Sequence, residues 1–240
     1  MLNETNLTNI LFLDIETVPQ QPSFLSLKEE EKSLWANKAR YLVKEKETPE
    51  TIYNRAGIYA EFGKIICIST GYFSDYSKTK KLFRIKSFYG DDEKKLLEDF
   101  AALLSKFFNR ANHLLCAHNG KEFDFPYLSR RMLVNGIKLP KALNTAGKKP
   151  WEINHLDTME LWRFGDYKNF TALNLLAHIF GIPSPKDDMD GSQVWKVYWE
   201  EKNMERIVTY CQKDVLTIAH IILKMKGEEL LQDNEIKIVG

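Results

Sequence analysis

Ile10-Leu11-Phe12-Leu13 is apolar at four consecutive positions and runs directly into Asp14-Ile15-Glu16. A short apolar run without alternation reads as a buried strand. Alternation along that strand puts side chains 14 and 16 on one side and Ile15 on the other. Two carboxylates on the same side of a strand end repel each other, and they persist where water or a cation compensates them. Any fold for this chain must bury the strand and still satisfy the two acids at its end.

The remaining pattern supplies a frame for that strand. His113 to Ala117 reads as a second short buried strand and Ile153 to Leu156 as a last one. Lys64 to Phe73 and Lys81 to Phe88 are β-rich runs around a polar turn, which predicts a hairpin. Asp91-Asp92-Glu93 opens a helix whose apolar stripe runs through Leu96, Leu97, Phe100, Leu103, Leu104 and Phe107. Further helices are expected over about 126–134, 170–180 and 203–226. Asn135-Gly136 stops the first, and Gly181 with Pro183 closes the second. Residues 20–61 differ: they are rich in Lys and Glu and read as an inserted, mostly helical excursion. The expected fold is α/β, a mixed five-stranded sheet with an antiparallel hairpin, parallel strands and helices on both faces. At 240 residues and 44% hydrophobic, the chain suits a single domain that carries this insertion.

Lys and Arg total 34 against 33 for Asp and Glu, which excludes nucleic-acid binding by bulk positive charge but leaves room for a local basic channel. Cys67, Cys116 and Cys211 are odd in number, widely spaced and without a CxxC, so they read as buried free thiols rather than disulfides or a zinc site. No apolar segment is long enough to span a membrane, and residues 1–6 have no basic leader, so the expected location is the cytoplasm.

Two further acids stand in informative places. Asp124 follows a buried strand and starts a helix, as an N-cap or as part of a site. Tyr210 and Asp214 are four residues apart on one helix face, beside the apolar stripe of Ile207, Cys211, Val215, Ile218 and Ile222. An acid at that edge reaches water or needs a partner or a metal.

Together these segments resemble the three motifs of the DEDD exonucleases, the ribonuclease H-like 3′–5′ exonucleases. Asp14-Ile15-Glu16 resembles the first motif, Asn119-Gly120-Lys121-Glu122-Phe123-Asp124 the second, and Tyr210-Cys211-Gln212-Lys213-Asp214 the third in its tyrosine form. The histidine form needs His where Thr209 stands. The first two motifs are closest to the proofreading domains of family B DNA polymerases, and the chain is similar to the predicted stand-alone exonucleases related to them. The resemblance runs from Leu11 to about Met225, and no polymerase palm or fingers fit in the chain.

The resemblance implies a ribonuclease H-like fold and two divalent cations, Mg2+ or Mn2+, that clamp the scissile phosphate. It implies that Asp14 bridges both metals, that Glu16 and Asp214 complete one, and that Asp124 holds the other. It gives Tyr210 the task of orienting the attacking water or helping to take its proton. The implied substrate is a single-stranded nucleic acid with a free 3′ end, DNA in preference to RNA. The alternatives are an exoribonuclease on the same site, or a catalytically silent binding module. Phe123 is expected to stack on a terminal base or to pack in the core, Ile15 and Thr17 to touch the terminal nucleotide or the core, and Asn119 to bond sugar or phosphate or to make the turn. Lys186, in the loop 186–193, is expected to contact a phosphate on one flank of the groove. That loop fails the EF-hand pattern, with Lys186 at the first ligand position and Val197 at the twelfth. His118 reads as a satisfied strand-end histidine. Asp157 and Thr158 read as framework or cleft residues, and Arg130 and Arg131 as a solvated helix face or as phosphate contacts.

Overall fold

β1, Ile10–Pro19, pairs antiparallel with β2, Gly63–Tyr76, on one side and parallel with β4, Leu114–Ala117, on the other. β2 continues antiparallel into β3, Lys81–Tyr89, as the expected hairpin. β5, Leu156–Asp157, extends the sheet parallel to β4, and β6, Ile236–Ile238, extends it parallel to β3. The order is β5-β4-β1-β2-β3-β6. The computed structural model describes residues 5–77, 80–183 and 189–239.

Alternation in β1 divides the core in two. Leu11, Leu13 and Ile15 face α2, Glu93–Phe107, and α3, Asp124–Val134, in a cluster with Leu97, Phe100, Leu128 and Met132. Ile10 and Phe12 face the long helix that runs from Met204 to Met225, against Val215, Ile218 and Ile222. Both faces of β1 are therefore covered, which is why its apolar run does not alternate. Asp14 and Glu16 continue the second face, beyond the parallel pairing with β4, which ends at Phe12↔Cys116. A register shift between Glu16 and Thr17 bends the strand there.

The sheet has six strands, not the five expected. β6 is three residues long and sits at the outer edge, too short for its alternation to be read. The predicted strand over 153–156 is the two-residue β5. The helix predicted over 170–180 is shorter, Leu173–Ile179, because the Thr171 carbonyl accepts from His118 and the Phe170 ring lies under Arg163.

The insertion contains one α-helix, α1 (Glu29–Ala39), with 3-10 turns at Phe24–Ser26 and Tyr53–Ile58. It has its own core of Trp35, Ala39, Ile52, Tyr53 and Ala56, and Trp35 Nε1 donates to the Pro49 carbonyl at 2.7 Å. It is fastened to the main body from α3. Tyr127 Oη donates to the Gly57 carbonyl at 2.7 Å, and Arg131 Nη1 donates to the Ala60 carbonyl at 2.9 Å. A side chain at Gly63 would collide here, since a Cβ would lie 2.3 Å from the Tyr127 hydroxyl.

Three short helices complete the frame: α4 (Thr158–Arg163), α5 (Leu173–Ile179) and α6 (Val194–Trp199). The long helix, Met204–Met225, is α7. Among the described residues no helix is long and apolar enough to cross a membrane. The three cysteines are buried and free.

Candidate active site

β1 and α7 bring their acids to one place. Asp14, Ile15, Glu16 and Thr17 line a cleft of about 360 Å³ together with Tyr210 and Asp214. Ligand atoms of Asp14, Glu16 and Cys211 lie within 4.8 Å of one another. The Asp14 and Glu16 carboxyls are hydrogen-bonded to each other, and Tyr210 hydrogen-bonds Asp214 one turn along α7. Asp124 sits just behind this surface, only 4% exposed. Its carboxylate accepts the backbone N–H of Ile15, which fixes the start of α3 against the end of β1.

Four carboxylates at such proximity perturb one another. Burial, then the charges of Glu16, Asp214 and Asp124, push the Asp14 carboxyl well above the usual carboxylate range, against the Cys211 hydrogen bond. Glu16 is pushed the same way by burial and then by Asp214, Cys67 and Asp124. Asp124 is pushed up to about 7, chiefly by burial, with Asp157 and Asp214 adding to it. Burial, then Asp214, Glu16 and Asp14, hold the Tyr210 phenol protonated far above its ordinary range. The hydrogen bond between the Asp14 and Glu16 carboxyls requires a proton on one of them. An all-oxygen carboxylate set that resists ionisation without a counter-charge fits hard divalent cations.

Phe123 packs on the core, its ring centroid 5.3 Å from that of Tyr127, and also lines the cleft. Thr17 lines the cleft and hydrogen-bonds the Tyr127 hydroxyl. Asn119 makes the turn, with a left-handed φ of 61°, its N–H donating to Asp157 Oδ1 at 2.9 Å. Its Oδ1 is buried and has no partner among the described residues. Lys186 lies outside the described residues. Gly191 and Ser192, from the same loop, line the cleft.

Several other polar residues have framework roles. His118 is held between Thr158 Oγ1 at 2.8 Å and the Thr171 carbonyl at 2.9 Å. Asp157 is buried. Besides Asn119 it accepts the N–H groups of Lys121, Met159 and Glu160, capping α4 and clamping the turn before Asp124. Arg130 is exposed. Arg131 is neither a solvated nor a phosphate-binding residue, but is buried against Glu93 through bonds of 2.9 and 2.6 Å. Tyr127, Leu128 and Arg131 fall on one face of α3, a spacing that marks Arg131 as inward.

Asn54, Arg55 and Ile58 of the insertion and Trp195 of α6 also line the cleft. Sequence reasoning missed them. Nothing in a stretch rich in Lys and Glu distinguishes Arg55, and Trp195 reads as one more apolar helix position.

The family described as "Predicted 3'-5' exonuclease related to the exonuclease domain of PolB" matches residues 58–234. The match takes in Asp124, Tyr210 and Asp214, and leaves β1 and nearly all of the insertion outside it. Among solved structures, the chain is similar to the family B DNA polymerase from the hyperthermophilic archaeon Pyrobaculum calidifontis, at 17% identity and a TM-score of 0.52 over 89% of this chain. The likeness is one of fold. The chain spans 24% of the length of that polymerase.

Proposed function

Because the chain belongs to the family of predicted 3′–5′ exonucleases related to the exonuclease domain of PolB, we propose that it hydrolyses the terminal phosphodiester at the 3′ end of single-stranded nucleic acid, DNA in preference to RNA, and releases nucleoside 5′-monophosphates. The observation that carries this reading is the convergence of Asp14, Glu16 and Asp214 with Tyr210 at one cleft, with Asp124 close behind it. Burying so many like charges together is strongly unfavourable, and it makes sense where function needs them.

Asp14, Glu16, Asp124 and Asp214 would hold two divalent cations, Mg2+ or Mn2+. Such cations, when bound, make water a better nucleophile and offset charge on the phosphate and the departing 3′ oxygen. The protein's own groups do the positioning. Tyr210 donates its single O–H to Asp214, so its oxygen is left as an acceptor for an O–H of the attacking water, which favours orienting that water over taking its proton. Asp214, one turn away, holds the phenol in place. Phe123 offers a ring face to a terminal base, and Ile15 and Thr17 lie beside it to bound the nucleotide. Asp157, through the Asn119 turn, sets the position of Asp124. Stacking and backbone contacts read no base edges, so sequence preference is slight.

Digestion of 3′-labelled DNA and RNA strands side by side, with and without Mg2+, tests the reading. The expected result is stepwise shortening of DNA from the labelled end, with release of labelled mononucleotide, only when the ion is present. Faster digestion of RNA would move the substrate to the exoribonuclease alternative. Binding without cleavage under any divalent ion would leave the silent module.

A further inference from the structure

The insertion reaches the cleft through the 3-10 helix Tyr53–Ile58, and it brings a charge opposite in sign to the rest. Arg55 is the one cationic side chain among the described residues that line the cleft, where Asp14, Glu16 and Asp214 also lie. Its guanidinium does not turn to them. Nη2 donates to Glu47 Oε1 at 2.6 Å and Nη1 to Glu47 Oε2 at 3.4 Å, both within the insertion. The side chain remains 42% exposed, so its remaining N–H groups can reach a ligand.

The segment carrying Arg55 is held at both ends. Tyr53 packs edge-on to Trp35, with ring centroids 5.7 Å apart, and the Gly57 carbonyl takes the Tyr127 hydroxyl. A polyanionic strand that approaches this cleft meets acids on β1 and α7 and one fork of N–H donors, that of Arg55, in the same lining. A guanidinium binds a phosphate through two parallel hydrogen bonds, a geometry that an ammonium cannot copy. The family match begins at residue 58, so Arg55 lies outside it.

Resting on the exonuclease reading, we infer that Arg55 binds a backbone phosphate of the strand in the cleft, which makes the insertion the phosphate-holding wall of the site. Arg55 is a binding residue, and Glu47 only its ion-pair partner.

The test measures binding of a labelled single strand with a free 3′ end at several salt concentrations, in an Asp14→Asn background so that the strand survives. Arg55→Ala should weaken binding roughly 10-fold, as loss of a hydrogen bond to a charged group does. It should also reduce the log–log salt slope by about 0.7, the value for one phosphate on a single strand. Arg55→Lys should restore the slope and only part of the affinity. Glu47→Gln breaks the same ion pair but leaves the cation, so it should keep both within about 2-fold. In turnover with Mg2+, Arg55→Ala alone should raise KM with kcat nearly unchanged. Unchanged affinity and slope in Arg55→Ala would overturn the inference. So would a Glu47→Gln protein as weak as Arg55→Ala, because Arg55 would then only brace the insertion. If the wild-type protein digests no strand under any divalent ion while the Arg55 effects on affinity and slope persist, the exonuclease reading fails and the phosphate contact stands.

Discussion

The Cys211 thiol donates to Asp14 Oδ2 at 3.3 Å, joining α7 to β1 across 197 residues of sequence. It is a weak donor that holds the Asp14 oxygen in place while burial and three neighbouring acids press that carboxyl toward its protonated form. Asp14 is thus costly to the fold and central to the cluster.

Asp14→Asn keeps the shape and removes one of the mutually repelling charges. Digestion should fall by at least about 10³-fold, in keeping with loss of an electrostatic group at the reacting centre. The melting temperature in chelator should stay level or rise. Gel assays and thermal unfolding of the same preparation check both, and a pure Asp14→Asn protein with undiminished digestion would remove Asp14 from the site.

Tyr210→Phe keeps the ring and deletes the hydroxyl. If the hydroxyl orients water, kcat should fall by roughly 10²-fold, with KM and the Mg2+ titration midpoint barely moved. A fully active variant would reduce Tyr210 to packing against α6.

Metal-free stability should depend on pH in an unusual direction. Unfolded, these carboxyls ionise near pH 4. Folded, Asp124 keeps its proton to about 7, and Asp14 and Glu16 are also raised well above the usual range. Their contribution is fully present below the unfolded values and is lost as pH rises through the folded ones. In chelator, stability should drop between about pH 5 and about pH 8 by on the order of 1–4 kcal/mol, at about 2–4 °C per kcal/mol for a chain of this size. Mg2+ should reverse the drop. Calorimetry at matched ionic strength would contradict this if the melting temperature were flat or rising with pH in chelator.

Arg131→Met removes one partner of a buried ion pair and strands Glu93, which also accepts from Ile65 N at 2.7 Å and from Asn135 Nδ2 at 3.0 Å. The expected cost is about 3–5 kcal/mol in urea unfolding. The Ala60 carbonyl loses its donor as well, so hydrogen exchange should quicken over residues 53–60 before the sheet responds. Uniform exchange across the chain would argue against a local anchor.

The parts of this molecule that could be read from sequence share a cause. Asp14 and Glu16 were legible because alternation fixes their side of β1, and Tyr210 and Asp214 because an i,i+4 spacing fixes theirs on α7. Asp124 was legible as a helix start, although not as a buried group held by the Ile15 N–H. β6 was not legible, since three residues carry no period and its partner β3 lies far back in the chain. The inward Arg131 was visible in the spacing from Tyr127 but hidden by the habit of assigning charge to solvent. Arg55 owes its place to the packing of Trp35 and Tyr53, a property of the folded insertion that residue order alone does not announce.

The division of the cluster between β1 and α7 also sets when it can exist. During synthesis β1 emerges long before α7, and closing so long a loop precedes any reward from the contacts it makes. Until Met204–Met225 docks on the sheet, Asp14 and Glu16 face neither Asp214 nor Tyr210 nor the Cys211 thiol. A chain that stops short of α7 therefore never holds the assembled set. The cleft matures in a single step, the docking of α7, which ties the assembled set to the presence of that helix.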